Sequence, residues 1–275
     1  MRRNHSDTRY ICHPPTYSSL EVHLGTHISD FHTDWHFHRE WQFVFVTEGE
    51  RRIQMQEGTL DLRANELLIL PPGRVHRGRA TSIPASFQMF NLAQELNPQR
   101  KYFRARVIRD RALIHEFACV TSQLGSRPAL QRLSGRIAKQ LASLTAVDDE
   151  FDISIRKPGV PPFVVSSTPN RRLISARSLL DQHLNGPLRL EQLARISGYS
   201  RYHFVRRFRE TFGISPKTYH LCVRLLEAKR LLAIGHEVCD VALHLGFSDQ
   251  SHLGRNFRRV FGTTPGYYRE SIKDE

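Results

Sequence analysis

Three histidines and a glutamine have the types and spacing for metal chelation or for gripping a polar ligand. His36 and His38 are two residues apart, Gln42 follows, and His76 comes just after Pro71-Pro72-Gly73. Along a strand alternate side chains share a face, so His36 and His38 would point the same way, as chelation requires. Three imidazoles with a neutral Gln could hold a divalent metal with open positions. They could equally fill a polar pocket or hydrogen-bond a small molecule. Trp35, Trp41, Phe43 and Arg51 could add aromatic walls and a charge, which suits a small organic ligand. The plainer alternative is ordinary core for the aromatics and surface for Arg51. No Ser/His/Asp set, phosphate loop or paired carboxylate stands out elsewhere, so no catalytic residue is assigned and the chain is not read as an enzyme.

A second set of residues could read nucleic acid. Arg201, Tyr202, His203, Arg206 and Arg209 fall on one outer helical face, and Asp249, Gln250, Ser251, Arg255, Arg258 and Arg259 on another. Arg can bond guanine bidentately and Gln adenine in the major groove, while Arg at the edges can hold phosphate. A single such helix would be read as a solvated basic surface. Here the helix comes twice.

The first copy runs Leu190, Leu193-Ala194, Gly198-Tyr199-Ser200, then Phe208, Phe212-Gly213, Pro216 and Tyr219. The second runs Val238, Val241-Ala242, Gly246-Phe247-Ser248, then Phe257, Phe261-Gly262, Pro265 and Tyr268. The offset is 48 residues up to the serine and 49 from the phenylalanine on, so one residue is inserted between them. Ala194 and Ala242 allow two helices to cross closely, and Gly198 and Gly246 allow the tight turn. Ser200 and Ser248 are placed to cap the next helix. Each copy therefore reads as a helix-turn-helix. Between them Leu221, Leu225, Ala228 and Leu232 share a helical face, closed by Gly235. A connector of that length, roughly 28 Å, nearly spans the ~34 Å between successive major grooves.

The rest of the chain must position these sets. Residues 20 to about 92 read as antiparallel β structure, from runs such as Phe43-Val44-Phe45-Val46 and Leu67-Leu68-Ile69-Leu70 between turn signals. Over 110–147 the pattern turns helical. Leu130, Leu133, Ile137, Leu141 and Leu144 form a stripe that suits either a helix packed on its own β domain or a homodimer seam, and the seam is the assignment taken forward. Residues 151–170 read as a Pro-rich linker, and a helical region follows from Arg171.

The 275 residues suffice for two domains. The formal charge is +13, and residues 171–275 hold 18 Lys and Arg against 10 Asp and Glu, which favours a polyanionic partner. No apolar run is long enough to span a membrane. Four scattered cysteines and a polar N-terminus point to a reduced, cytoplasmic protein.

Residues 171–275 resemble the DNA-binding domain of the AraC/XylS family of transcription regulators, most specifically through Gly246-Phe247-Ser248-Asp249-Gln250-Ser251-His252-Leu253 and on to Phe257, Phe261-Gly262 and Pro265. The resemblance implies seven helices and base-facing positions at Tyr202, Val205 and Arg206 in one unit and Gln250, Ser251 and Arg255 in the other. Arg207 departs from the family's usual apolar residue. The spacing of His36, His38, Gln42, Gly49, Pro71-Pro72-Gly73 and His76 is similar to the two cupin motifs, with Gln42 for the usual Glu, Asn65 for a turn glycine and Ala80 for a late Asn. The expectation is a cupin-like jelly-roll barrel over 1–150 that senses a small effector through Trp35, His36, His38, Gln42, Arg51 and His76. The family commonly keeps this barrel free of metal, so no cofactor is assigned. His36, His38 and His76 are the ligands if a metal is present. Promoter DNA, RNA polymerase and a second copy of the chain are the expected partners.

Overall fold

The computed structural model describes residues 20–28, 31–81, 85–93, 105–109, 111–120, 135, 137, 139, 171–186 and 189–273. The strands are β1 (Leu20–Ile28), β2 (Trp41–Glu48), β3 (Glu50–Met55), β4 (Gly58–Arg63), β5 (Glu66–Leu70), β6 (His76–Ala80), β7 (Ala85–Leu92) and β8 (Arg106–Ile108). They form two antiparallel sheets, ordered β1-β7-β2-β5-β8 and β4-β3-β6. Asn65 turns the chain between β4 and β5 at φ 65°, a left-handed conformation that Asn tolerates better than most residues.

Alternation sorts the larger sheet into two faces. Val22, Phe43, Ile69 and Phe90 point one way, into a cluster with Trp41, Phe117 and Ile137. Val44, Leu68, Leu70, Phe87 and Met89 point the other way and meet Ile53, Met55 and Leu62 of the smaller sheet. Phe117 belongs to α1 (Arg111–Val120), which helps cover the outer face.

Ile137 corrects the dimer assignment at that residue. It is 3% exposed inside the outer-face cluster, so the intradomain alternative holds there. The cause is the sheet's apolar outer face, which must be shielded from water. Leu130, Leu133, Leu141 and Leu144, like the 151–170 linker, lie outside the described residues.

The helical part has seven helices among the described residues: α2 (Arg171–Gln182), α3 (Leu190–Ile196), α4 (Arg201–Phe212), α5 (Pro216–Ala233), α6 (Val238–His244), α7 (Gln250–Phe261) and α8 (Pro265–Lys273). The α3–α4 and α6–α7 pairs are the two repeats. Ala194 and Ala242 are buried at the crossings, and Gly198 and Gly246 both take φ 68°. Ser200 caps α4 by accepting from the His203 amide. In the second copy the cap is Asp249, not Ser248 as expected. Asp249 accepts from the His252 amide at 2.7 Å, and Ser248 donates to Asp249. The inserted residue is absorbed at this cap, so α7 starts 49 residues after α4 and keeps its phenylalanines in phase.

The two parts pack together. Phe37 and Val75 of the β domain join the helical core, and Phe37 stacks on Tyr219 of α5 at 5.2 Å. The Asp34 amide donates to the Arg259 carbonyl at 2.9 Å, and Gln56 donates to the Glu210 carbonyl at 3.0 Å.

The two turn glycines make a test. Alanine at either position must adopt the left-handed conformation, at a cost of about 1–2 kcal/mol. A Cβ at Gly246 would also stand 2.8 Å from the backbone nitrogen of Gly186, whereas at Gly198 it meets the movable end of Arg172 at 2.6 Å. Gly246→Ala is therefore expected to destabilise the chain more than Gly198→Ala in urea unfolding. Equal losses would show that the 185–186 turn gives way.

Candidate functional site

The outer helix faces are open. Arg201, Arg206 and Arg209 on α4, and Gln250, Ser251, Arg255, Arg258 and Arg259 on α7, are all exposed. Tyr202 is 81% exposed, unusual for an aromatic residue. Val205 differs from its expected place. It is half-buried and packs on the helical core, so it presents only an edge. Arg207 does not disturb that core, because it points outward and donates to Glu210 at 3.3 Å while Phe204 and Phe208 fill the inside. Arg206 also pairs with Glu210 at 3.1 Å, and Arg201 with Glu191 at 3.1 Å. Exposed pairs of this kind are weak and readily exchanged for phosphate or base contacts.

The second site lies under the seam between the β domain and the helical domain. His36 and His76 face each other across an isolated β-bridge with reciprocal amide-to-carbonyl bonds of 3.0 and 2.9 Å. His38 joins them two residues on. Although residues 36–38 form a bridge and not a full strand, alternation still turns both imidazoles inward and sends Trp35 and Phe37 toward the helical domain. The three imidazole nitrogens lie within 4.8 Å of one another. Gln42, Arg51, His23, Thr33 and Asn91 share the cavity wall, and Val260 and Phe261 of α7 complete it from the helical side. The space within is about 20 Å³, room for a water molecule or an ion.

Of the expected pocket residues, His36, His38, Gln42, Arg51 and His76 therefore meet. Trp35 does not line the cavity. It sits against the helical core, under the Arg77 guanidinium at 4.9 Å, and its carbonyl accepts from Cys222. Trp41 and Phe43 belong to the outer-face core. Arg51 is buried, not on the surface, with its guanidinium over Phe87 at 4.0 Å and Phe31 at 4.7 Å. Gly78 makes room for it: a Cβ there would come within 2.9 Å of the guanidinium.

A row of polar residues crosses the sheet beside the histidines. Glu21 on β1 is in register with Asn91 on β7, and Asn91 with Gln42 on β2. Gln42 Nε2 donates to Asn91 Oδ1 at 3.2 Å, and Asn91 Nδ2 donates to Glu21 Oε2 at 3.2 Å. Glu21 also binds His23 Nε2 at 2.8 Å and, across the seam, the ammonium of Lys229 on α5. Burial by itself would raise the Glu21 carboxyl, but the charges and hydrogen bonds of Lys229 and His23 outweigh it and hold the group well below the usual carboxylate range. Burial has the opposite consequence for the imidazoles. It pulls His36 down to about 4 and His38 and His76 well below their ordinary value, with neighbouring positive charge adding to the effect. All three are therefore neutral near pH 7.

Glu21, His23, Asn91, Lys229 and the α7 residues Val260 and Phe261 were not anticipated as parts of this site. One signal was available: Lys229 interrupts the apolar face of α5 between Leu225 and Leu232, where a solvated lysine would not fit.

Comparison with known proteins identifies both domains. Residues 20–146 match the AraC-like ligand binding domain and residues 193–271 a helix-turn-helix domain. The regulatory protein SoxS of Escherichia coli (strain K12) is 34% identical over 97 residues, covering 34% of this chain and 88% of SoxS. An uncharacterized HTH-type transcriptional regulator of Bacillus subtilis (strain 168), YbfI, is 26% identical over 233 residues, covering 79% and 80% of the two chains. The unsaturated fatty acid bound wild-type ToxT from Vibrio cholerae shares the fold with a TM-score of 0.52 at 12% identity, over 100% of this chain and 99% of that one. The chain belongs to the AraC family of transcription regulators, with a ligand-binding domain joined to a helix-turn-helix DNA-binding domain. Among the described residues no helix is long and apolar enough to cross a membrane.

Breaking a buried ion pair from one side strands a charge, at a typical cost of about 3–5 kcal/mol. Lys229→Met should destabilise the chain by about that much, and the double substitution Lys229→Met with Glu21→Gln should recover most of it. Because the folded-state carboxyl is depressed, the wild-type pair contributes fully above the ordinary carboxylate range. That contribution should fade as pH falls from about 4.5. Urea unfolding of the three proteins between pH 7 and pH 3 tests both statements. A double mutant no better than Lys229→Met would mean that the pair is not the source of the loss.

Proposed function

We propose that this regulator couples the occupant of its β-domain cavity to the posture of the second DNA-reading helix. One observation carries the reading. Val260 and Phe261 form part of the cavity wall, and they belong to α7, whose exposed side presents Gln250, Ser251, Arg255 and Arg258. A small organic effector exceeds the cavity space of about 20 Å³, so it would have to displace part of the wall, to which Val260 and Phe261 of α7 belong. Effector and promoter DNA would then each change the other's affinity by the same factor. ToxT, with the same fold, is known with an unsaturated fatty acid bound, which makes fatty acids a reasonable first class to screen.

The regulator in this reading is cytoplasmic and has no catalytic activity. It works at promoters beside RNA polymerase, and a second copy of the chain gains avidity for repeated sites. Base contacts come from Tyr202, Arg206, Gln250, Ser251 and Arg255, with Val205 offering an apolar edge. Arg201, Arg209, Arg258 and Arg259 hold phosphate.

Two outcomes are expected. Arg206→Ala and Arg255→Ala should each cost about 1–3 kcal/mol of specific binding and relax one half of the site. Arg258→Ala and Arg259→Ala should weaken binding evenly across sequences. Footprinting and competition with scrambled DNA separate the two behaviours, and an unchanged footprint for Arg255→Ala would move the second reading helix elsewhere. The coupling is tested by Glu21→Gln, a change made in the β domain, away from both reading helices, that reaches the helical domain through Lys229. It should alter operator affinity of the full chain by about 3-fold or more, the range of an ordinary coupling energy. Identical affinity in fluorescence anisotropy would disconnect the seam from DNA binding.

A further inference from the structure

We propose that His36, His38 and His76 form a site for one divalent transition-metal ion. Hydrogen-bond accounting leads there, against the metal-free expectation.

The tautomers are set from outside the cluster. His36 Nδ1 lies 2.7 Å from the Asp34 carbonyl and His76 Nδ1 2.9 Å from the Arg74 carbonyl. A carbonyl only accepts, so both Nδ1 atoms carry the proton and both Nε2 atoms turn a lone pair toward the cavity. The third imidazole is set by the polar row. Lys229 and His23 keep Glu21 a carboxylate, which takes the Asn91 amide nitrogen. The Asn91 oxygen then takes the Gln42 nitrogen. That same Gln42 nitrogen is 3.0 Å from His38 Nε2 and donates to it, so His38 Nε2 is an acceptor as well. Reversing both amides would set the Asn91 oxygen against the Glu21 carboxylate at 3.2 Å, two acceptors face to face.

Two acceptors are thus left confronting each other: His36 Nε2 and His38 Nε2 are 3.1 Å apart in a buried space. Unshared lone pairs at that distance repel. A Lewis acid between them removes the conflict. Two nitrogens each ~2.1 Å from one ion, at an angle of 90–110°, are roughly 3.0–3.4 Å apart, which is the spacing here. His76 supplies the third donor from the opposite strand, within the 4.8 Å span of the set. The carbonyls behind His36 and His76 are the outer-shell partners that metal-bound imidazoles ordinarily have. The cavity volume of about 20 Å³ admits an ion and at most a small co-ligand. Neutral imidazoles favour Zn²⁺, Ni²⁺, Co²⁺ or Fe²⁺ over Mg²⁺ or Ca²⁺, which want oxygen. Arg51 and Lys229 bring positive charge close by, so the open coordination positions suit an anion such as hydroxide or a carboxylate. The site is independent of whether the seam affects DNA.

The test uses the full chain, stripped with chelator and titrated with Co²⁺ followed by visible absorption, then with Zn²⁺ in competition. One equivalent of Co²⁺ should bind and be displaced by Zn²⁺. Binding should be lost in His36→Ala and His76→Ala and unchanged in His236→Ala, which removes an exposed histidine. Asn91→Leu leaves all three donors in place but releases Gln42, and should weaken binding by about 10–100-fold. X-ray absorption on the wild-type Zn²⁺ form should show three imidazoles at ~2.0–2.1 Å, a readout that needs no variant to fold. Less than a tenth of an equivalent bound by folded wild type, fewer than three imidazoles, or binding that survives in a folded His36→Ala chain would overturn the site.

Discussion

A carboxylate and an ammonium taken out of water together hold this molecule in its observed arrangement. Glu21 is the second residue of the first strand and Lys229 sits 208 residues later in the long helix between the two repeats, yet they pair inside the seam. Each charge would be costly to bury alone. Their pairing gives the DNA-binding half one particular seat on the β half, in a way that apolar contacts such as Phe37 on Tyr219 would specify less sharply. The pair also fixes the charge of Glu21, and through Asn91 and Gln42 that charge reaches the histidines. One ion pair thus bridges the two domains and sets the charge beside the cavity.

The short segment 35–38 shows how closely those two roles are joined. Its even-numbered residues face the cavity and its odd-numbered ones face the helical core. Anything that shifts His36 and His38 must therefore move Trp35 and Phe37, which rest on α5. The last turn of α7 has the same double character, with Phe261 inward near His38 at 6.5 Å and Arg258 outward. A closed cavity and open reading helices coexist because the cavity meets the inner side of α7 and its reading residues occupy the outer side.

The two halves carry different kinds of information. In the helical half, repeated Ala, Gly and Phe positions impose the same packing twice, and the caps differ, Ser200 in one and Asp249 in the other. In the β half the same period of two that builds an apolar outer face builds a polar inner row, Glu21–Asn91–Gln42, one residue per strand. The row is satisfied internally, as buried polar groups must be.

Much of this could be read from the chain alone, and the reason is locality. A repeat, a turn glycine and a cap each depend on a few neighbouring residues, so both helix-turn-helix units, their exposed arginines and the short strands were readable, as was the convergence of His36, His38 and His76. What depends on distant partners was not. Trp35 looked like a pocket wall and faces the other domain. Arg51 had a surface alternative but is buried between Phe31 and Phe87. Ile137 was placed in a dimer seam and instead covers its own sheet. The cavity's far wall, Val260 and Phe261, resembled ordinary helix core, because nothing local distinguishes a core phenylalanine from one that closes a pocket in another domain. Sequence determined the elements and the residues able to do chemistry. Only the tertiary structure decided which buried charge meets which, since burial and charge pairing are properties of the assembled fold.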